Sequence, residues 1–187
     1  MMAAGGEEGD PPSRVGWPVV DTYTGTLAAL AVLAALLQRE RFGEGQYIDV
    51  AMLDASLVML TSLATPYLVT GQTLPRTGNI GYSGSPTAAV FPARDGTSIS
   101  LGVVQDNQFA ALCRAIGRPE WTTDPRFATT LERARPQHAQ ALREARVPIF
   151  AARDGLVWER LLNSAGSPCG LIREVAGAGD IARGAPD

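Results

Sequence analysis

The sequence predicts an α/β chain: long apolar helices and one short strand, followed by a small α+β region. Three observations predict it. Residues 27–37 form a nearly unbroken Ala/Leu/Val run. Gly43 and Gly45 separate that run from an alternating stretch, Gln46 to Met52, and a second apolar run follows at once. After a Gly/Pro/Thr/Asn-rich loop (Gly71 to Gly84), two short runs flank Arg94-Asp95-Gly96, and Asp-Gly between such runs is a hairpin signal.

Each element has its reason. Met1 to Arg14 is rich in Gly and Pro without an apolar period, so it reads as a flexible lead. Pro18 bars a helix through Gly16 and Trp17. Asp21 and Thr22 are N-cap candidates for a helix running to about Arg41. That helix is apolar nearly all round, which predicts burial on most sides. Gly43 and Gly45 end it. Gln46 to Met52 reads as a strand, with Ile48, Val50 and Met52 on one face and Tyr47, Asp49 and Ala51 on the other. Asp54 stands where the next helix begins; it spans about Leu53 to Val69 and bends near Pro66. Thr87 to Pro92 and Ser98 to Val103 are short strands. Asp106 is placed to cap a helix over Asn107 to Ile116, with Phe109, Leu112 and Cys113 on one face. Helical stretches follow over residues 136–146 and 156–165, with Pro148 interrupting the first. Ala176 to Asp187 reads as a frayed end.

Composition narrows the function classes. The chain has 187 residues, 45% of them apolar, enough for one domain or one and a half. Net charge is −3 with no basic block, which argues against nucleic-acid and membrane-surface partners. All 16 basic residues are Arg, so lysine Schiff-base and P-loop lysine chemistry is excluded. Cys113 and Cys169 make no disulfide framework, which fits a reducing cytoplasm. Met1 to Asp10 is not a basic-then-apolar signal peptide. The apolar run over residues 27–37 is shorter than the roughly 20 residues a bilayer needs.

Most candidate sites read as structure. Gly81-Tyr82-Ser83-Gly84-Ser85 lacks the fifth glycine of a nucleophile elbow and leads from helix to strand, not strand to helix. His138, the single histidine, lies on a polar stretch and reads as a surface residue; no zinc site is expected. A Cys169–His138 pair stays open beside the simpler reading of Cys169 as a buried small apolar residue. Gly43-Glu44-Gly45 is a turn, not a dinucleotide fingerprint. Capping is the default role of Asp21 and Asp54. One loop stands apart. Gly78-Asn79-Ile80-Gly81-Tyr82-Ser83-Gly84 sets three glycines around an aromatic, and its exposed N–H groups could hold a carboxylate. On residue types alone an ordinary surface loop is the simpler reading.

A set of ordered motifs changes that balance. They are Arg14-Val15-Gly16-Trp17-Pro18-Val19-Val20-Asp21, Gly25 and the Ala/Leu helix, and Arg39-Glu40-Arg41-Phe42-Gly43-Glu44-Gly45-Gln46-Tyr47-Ile48-Asp49-Val50-Ala51-Met52-Leu53-Asp54-Ala55. Further on come Pro75-Arg76-Thr77-Gly78-Asn79, Val90-Phe91-Pro92-Ala93-Arg94-Asp95-Gly96, Asp124-Pro125-Arg126-Phe127 and Gly166-Ser167-Pro168-Cys169-Gly170. Together they make the chain resemble the family III CoA-transferases, a group that includes formyl-CoA, carnitine and bile-acid CoA-transferases.

The resemblance implies a C-terminal portion of that fold. Residues 1–75 would be a remnant of the large domain, residues 76–173 the small α+β domain with the glycine loop, and residues 174–187 the start of the return segment. It implies CoA transfer from an acyl-CoA thioester to a carboxylic acid through an enzyme-aspartyl anhydride, with CoA thioester as substrate, no permanently bound cofactor and no metal. An anhydride hydrolyses easily, so oxyanion stabilisation and exclusion of water accompany the step. The family's glycine loop covers the nucleophile, which assigns substrate binding to Gly78, Asn79, Gly81, Tyr82, Ser83 and Gly84. The family nucleophile and most of its Rossmann-like domain precede the Arg14 block. No catalytic residue is therefore expected in this chain, and Asp21 holds a different family position. Thr87 stands where many relatives carry an aromatic.

Two alternatives accompany this reading. Related 2-methylacyl-CoA racemases carry a polar, acidic strand before the Asp-Gly hairpin; here residues 87–92 are apolar and acid-free, which favours the transferase. The other alternative is an inert fragment or dimerisation module. Family chains interlock as dimers. With the Rossmann half elsewhere, residues 27–37 and 53–68 would expose apolar faces, so an oligomeric chain without transfer activity of its own is expected.

Overall fold

The structure is a computed structural model that describes residue 2 and residues 4–81 and 85–177. Its contacts cluster into two compact units, Met1–Gly78 and Asn79–Asp187.

In the first unit the described residues of the lead are exposed, with hydrogen bonds to the 76–78 segment. The Asp10 carbonyl accepts from Arg76, and the Gly6 carbonyl accepts from the Gly78 N–H at 3.1 Å. Helix α1 (Val19–Phe42) starts directly after Pro18. The predicted caps Asp21 and Thr22 lie inside its first turn. Pro18 has φ −76°, already close to helical, so the helix needs no later start. The Thr22 hydroxyl donates to the Pro18 carbonyl at 2.9 Å. Asp21 sits where an acid suits the helix dipole. Gly43 closes α1 in the left-handed region at φ +76°, its N–H donating to the Arg39 carbonyl at 2.8 Å.

The predicted strand at Gln46 to Met52 does not form as a strand. Its alternation survives, with Ile48 and Val50 half-buried between exposed Tyr47 and Asp49. No partner strand pairs with it among the described residues, and period-two patterning without a ladder leaves only extended chain.

Helices α2 (Met52–Met59) and α3 (Thr61–Thr70) follow, bent by 82° at Leu60. The break therefore falls at Leu60 and not at Pro66, which lies within α3. The Thr61 hydroxyl takes the Val58 carbonyl at 2.6 Å, a local bond that competes with the helical ladder. The Leu60 carbonyl then starts the new ladder by accepting from Ala64.

The burial expected for the apolar helices is not supplied by the described residues. Thr24 is the only described residue of α1 that is buried, Leu30 and Leu33 are 63% and 65% exposed, and Leu68 and Val69 are 80% and 78% exposed. Helix α1 also corrects the length argued from residues 27–37. At 24 residues it is long and apolar enough to cross a membrane by length and composition. Helical structure extends past the Ala/Leu run at both ends, because Val19, Val20 and Phe42 join it.

The second unit holds the packed core. Strands β1 (Val90–Pro92), β2 (Ser98–Leu101) and β3 (Cys169–Leu171) form an antiparallel sheet in the order β1-β2-β3. The hairpin predicted at Asp95-Gly96 is present. Phe91 pairs with Ile99, Ala93 N–H donates to the Thr97 carbonyl at 2.8 Å, and Gly96 takes φ +78°. This is a three-residue hairpin loop with glycine at its left-handed position.

Helix α4 (Asp106–Ala115) is capped by Gln105, one residue before the predicted Asp106. The Gln108 side chain accepts from the Val104 and Gln105 N–H groups at 3.0 Å each, which frees Asp106 to pair with Arg133. A 3-10 turn (Pro119–Thr122) and the short α5 (Thr130–Arg133) lead into α6 (Pro136–Phe150). Pro148 does not interrupt α6. It removes one ladder bond near the C-terminus, while Phe150 is fully buried and its carbonyl accepts the Trp158 indole N–H at 2.8 Å. Helix α7 (Gly155–Ser164) completes the unit.

Strand β3 lacks an alternating pattern long enough to read. Side chains from α7 hold it: the Asn163 amide brackets the Cys169 backbone at 2.7 and 3.1 Å, and Glu159 accepts from the Leu171 N–H at 2.7 Å. Phe91, Ile99, Phe109, Leu112, Leu142, Phe150, Trp158 and Leu162 fill the core between the sheet and α4, α6 and α7.

Candidate functional site

The glycine loop divides at the unit boundary. Gly78 closes the first unit and Asn79 opens the second. Gly78 has φ +55°, a left-handed conformation that selects glycine; the Glu7 carboxylate lies against the open Cβ side and is the exposed end of a flexible side chain. Asn79, Ile80 and Gly81 run along the sheet edge. The Asn79 carbonyl accepts from Val90 N–H at 3.1 Å, Ile80 bridges Ala89, and Gly81 N–H donates to the Ala88 carbonyl at 2.7 Å. The backbone N–H of Gly81 is thus already used by the fold. Of the predicted substrate-binding residues, Gly78, Asn79 and Gly81 are placed this way; Tyr82, Ser83 and Gly84 lie outside the described residues.

The chain returns through a buried turn. Ala88 N–H donates to the Ser85 carbonyl at 3.0 Å, and Ser85, Pro86 and Thr87 are all buried. The Thr87 hydroxyl donates to the Val103 carbonyl, so in its 2.9 Å contact with Ser85 it is the acceptor. The Arg146 guanidinium, from α6, donates to the Pro86 carbonyl and, through Nε, to the Leu142 carbonyl at 3.1 Å. Burial lowers the Arg146 pKa to about 9, with the neighbouring Arg143 adding to the shift. Sequence reading missed Arg146 and Thr87 as anchors. A signal for Arg146 exists: Leu142, Arg146 and Phe150 recur every four residues on one helix face.

The other candidates resolve as structure. Cys113 and Cys169 are both buried free thiols, and burial pushes them up to about 11 and about 12, far from a reactive thiolate. His138 is half-buried rather than solvated: its Nδ1 contacts the Glu132 carbonyl at 3.0 Å. Helix α6 begins at Pro136, which brings His138 back over the preceding short helix. No group of metal-ligating side chains occurs among the described residues. In the first unit an apolar pocket lies at the α2–α3 bend, lined by Leu60, Leu63, Tyr67, Leu74 and Arg76 among others.

Two compact units, helical then α+β, joined at a glycine-bearing segment, define the class of fold. The chain belongs to the CoA-transferase family III, whose sequence pattern matches residues 1–183. It is 39% identical over 132 residues to the succinyl-CoA–D-citramalate CoA-transferase of Chloroflexus aurantiacus, covering 71% of this chain and 32% of that protein. It is 34% identical over 182 residues to the acetyl-CoA:oxalate CoA-transferase of Acetobacter aceti, covering 97% and 46%. Among solved structures, a CaiB/BaiF family protein from Brucella suis superposes with a TM-score of 0.72 at 29% identity, covering 94% of this chain and 45% of that one. The hypothetical protein Rv3272 of Mycobacterium tuberculosis gives 0.76 at 26% identity, covering 91% and 44%. The chain thus spans about a third to a half of the length of the relatives it matches.

Proposed function

We propose that the chain supplies the small domain and its adjoining helices to a CoA-transferase that moves CoA from an acyl-CoA thioester to a carboxylic acid. The observation that carries this is the family match over residues 1–183, joined to curated relatives named as CoA-transferases for citramalate, oxalate and glutarate. The transferase reading takes precedence over the racemase alternative because the 87–92 stretch offers no acid and the named relatives transfer CoA.

In this reading Gly78, Asn79 and Gly81, with Tyr82, Ser83 and Gly84, form the loop that meets the thioester substrate. Support comes from Gly78, whose positive φ is a backbone conformation that a larger residue would strain. The covalent carboxylate belongs to residues beyond these 187, in the more than half of the relatives' length that the chain does not span. The chain alone is then inactive in transfer. In this reading helix α1 packs against protein rather than lipid; the family match over residues 1–183 includes the whole of α1. The working form is an oligomer, supported by the exposed apolar faces of α1 and α3. A cytoplasmic location is supported by two buried free thiols and no disulfide among the described residues.

The test is a loop variant in a complemented enzyme. The chain is co-expressed with the N-terminal part of the Acetobacter aceti relative, and CoA transfer is followed by chromatographic separation of the two thioesters. Gly81→Val should lower kcat/KM at least tenfold while leaving the far-UV spectrum unchanged. Unchanged kcat/KM would remove the loop from the substrate site.

A further inference from the structure

Arg146 is the feature of this fold that packing does not explain. It is fully buried, on the core face of α6 between Leu142 and Phe150. Its guanidinium lies over the Phe91 ring at 4.8 Å, with Arg143 over the same ring at 5.6 Å. No carboxylate pairs with it among the described residues, and one of its terminal nitrogens, Nη1, has no hydrogen-bond partner. The other deeply buried arginine differs: Arg133 has Asp106, the Phe127 carbonyl at 2.7 Å and the Thr130 hydroxyl at 2.9 Å. A buried cation without a counter-ion is a poor core filler, and an apolar side chain of similar length is often neutral or stabilising in such a place. A guanidinium does offer what a methionine cannot, hydrogen bonds, and the one that leaves α6 goes to the Pro86 carbonyl. Pro86 sits in the Ser85–Ala88 turn that returns the glycine loop to β1.

We propose that Arg146 is a positioning residue that reaches across the core to fix the Ser85–Ala88 turn, and with it the downstream base of the glycine loop, relative to the sheet. The physical logic is a brace. The upstream base, at Asn79 and Gly81, is tied to residues 88–90 by backbone bonds. The side chains of Thr87, to the Val103 carbonyl, and of Arg146, to the Pro86 carbonyl, are among the ties of the downstream base. Losing the Arg146 tie leaves a buried carbonyl unpaired and the turn free to shift, while the hairpin keeps its own ladder. The meaning of this brace for catalysis rests on the proposed function of the loop; the brace itself does not.

Amide hydrogen exchange on the full chain tests the brace without any activity assay. In Arg146→Met the Ala88 and Gly81 amides should exchange about tenfold faster, as expected for loss of a charge-assisted hydrogen bond. The Ala93 and Gly102 amides, bonded to Thr97 and Pro168 carbonyls, should change less than twofold. Arg146→Lys, which keeps the charge and a donor group but loses the planar fork, should recover part of the protection at Ala88. If Arg146→Met fails to fold, Arg146→Lys carries the test alone, with Ala88 at least threefold faster than wild type and Ala93 unchanged. Wild-type exchange at Ala88, or parallel acceleration at Ala88 and Ala93 in the folded variant, would overturn the proposal. Loss of transfer in the complemented enzyme without a change at Ala88 would bear on the function of the loop and leave the brace refuted.

Discussion

Replacing Thr87 by valine isolates what the buried turn at the loop base contributes. The side chain is 1% exposed, so the variant keeps its volume and changes only the hydroxyl for a methyl. That hydroxyl donates to the Val103 carbonyl and accepts from Ser85 at 2.9 Å. Leaving a buried carbonyl without its donor costs about 1–3 kcal/mol, and the lost Ser85 bond adds about 1 kcal/mol. The new methyl returns about 0.8 kcal/mol of burial. The net destabilisation is then about 1–3 kcal/mol. Thr87→Ser makes the complementary change, keeping the hydroxyl and losing about 0.8 kcal/mol of methyl burial.

The assay is urea unfolding followed by tryptophan fluorescence in a Trp17→Phe background. Trp121 and Trp158 then report on the second unit alone. With a slope of about 2 kcal/mol per M, Thr87→Val should lower the midpoint by about 0.5–1.5 M and Thr87→Ser by about 0.5 M. A Thr87→Val protein at least as stable as wild type would show that the methyl packs and the hydroxyl does nothing, which would refute the anchoring argument.

Three further outcomes follow from the same geometry. The Arg173 guanidinium holds the Glu159 carboxyl below its ordinary range, with the Leu171 N–H adding to the effect. Its stabilisation is present above the ordinary carboxylate range and lost as pH falls through the depressed folded value; Glu159→Gln should therefore flatten the drop in urea midpoint between about pH 5 and pH 3, and an unchanged drop would dismiss the pair. Burial holds Cys113 and Cys169 as neutral thiols, so neither should react with Ellman's reagent at pH 8 in the native chain and both should react in urea; rapid native labelling would contradict their burial. The exposed leucines of α1 and α3 should drive the purified chain into oligomers or aggregates by sedimentation velocity; a monodisperse, cooperatively unfolding monomer would count against that.

Local chemistry was legible in the sequence, and partners distant in the chain were not. The Asp95-Gly96 hairpin, the glycine stop at Gly43 and the core face of Phe109, Leu112 and Cys113 each follow from a few adjacent residues, and the structure contains all three. Gln46 to Met52 misled because alternation reports a pleated surface without saying whether another strand lies beside it. Pro148 misled because the cost of one missing N–H near a helix end is smaller than the burial of Phe150 just beyond it. At the loop, the glycines marked the segment, but its supports come from afar: Val103 to Thr87 and Arg146 to Pro86 join residues 16 and 60 positions apart. No window of neighbouring residues contains such a contact. The family resemblance was legible through the ordered motifs, and the match over residues 1–183 bears it out.

The most direct test of the central claim is CoA transfer itself. Acyl-CoA and a free carboxylic acid are incubated with the purified 187-residue chain, and separately with the chain co-expressed with the N-terminal part of a family relative. The account predicts no new thioester above the uncatalysed background with the chain alone, and transfer in the complemented sample. Transfer by the chain alone would contradict it, because the covalent step would then have to come from a residue within these 187.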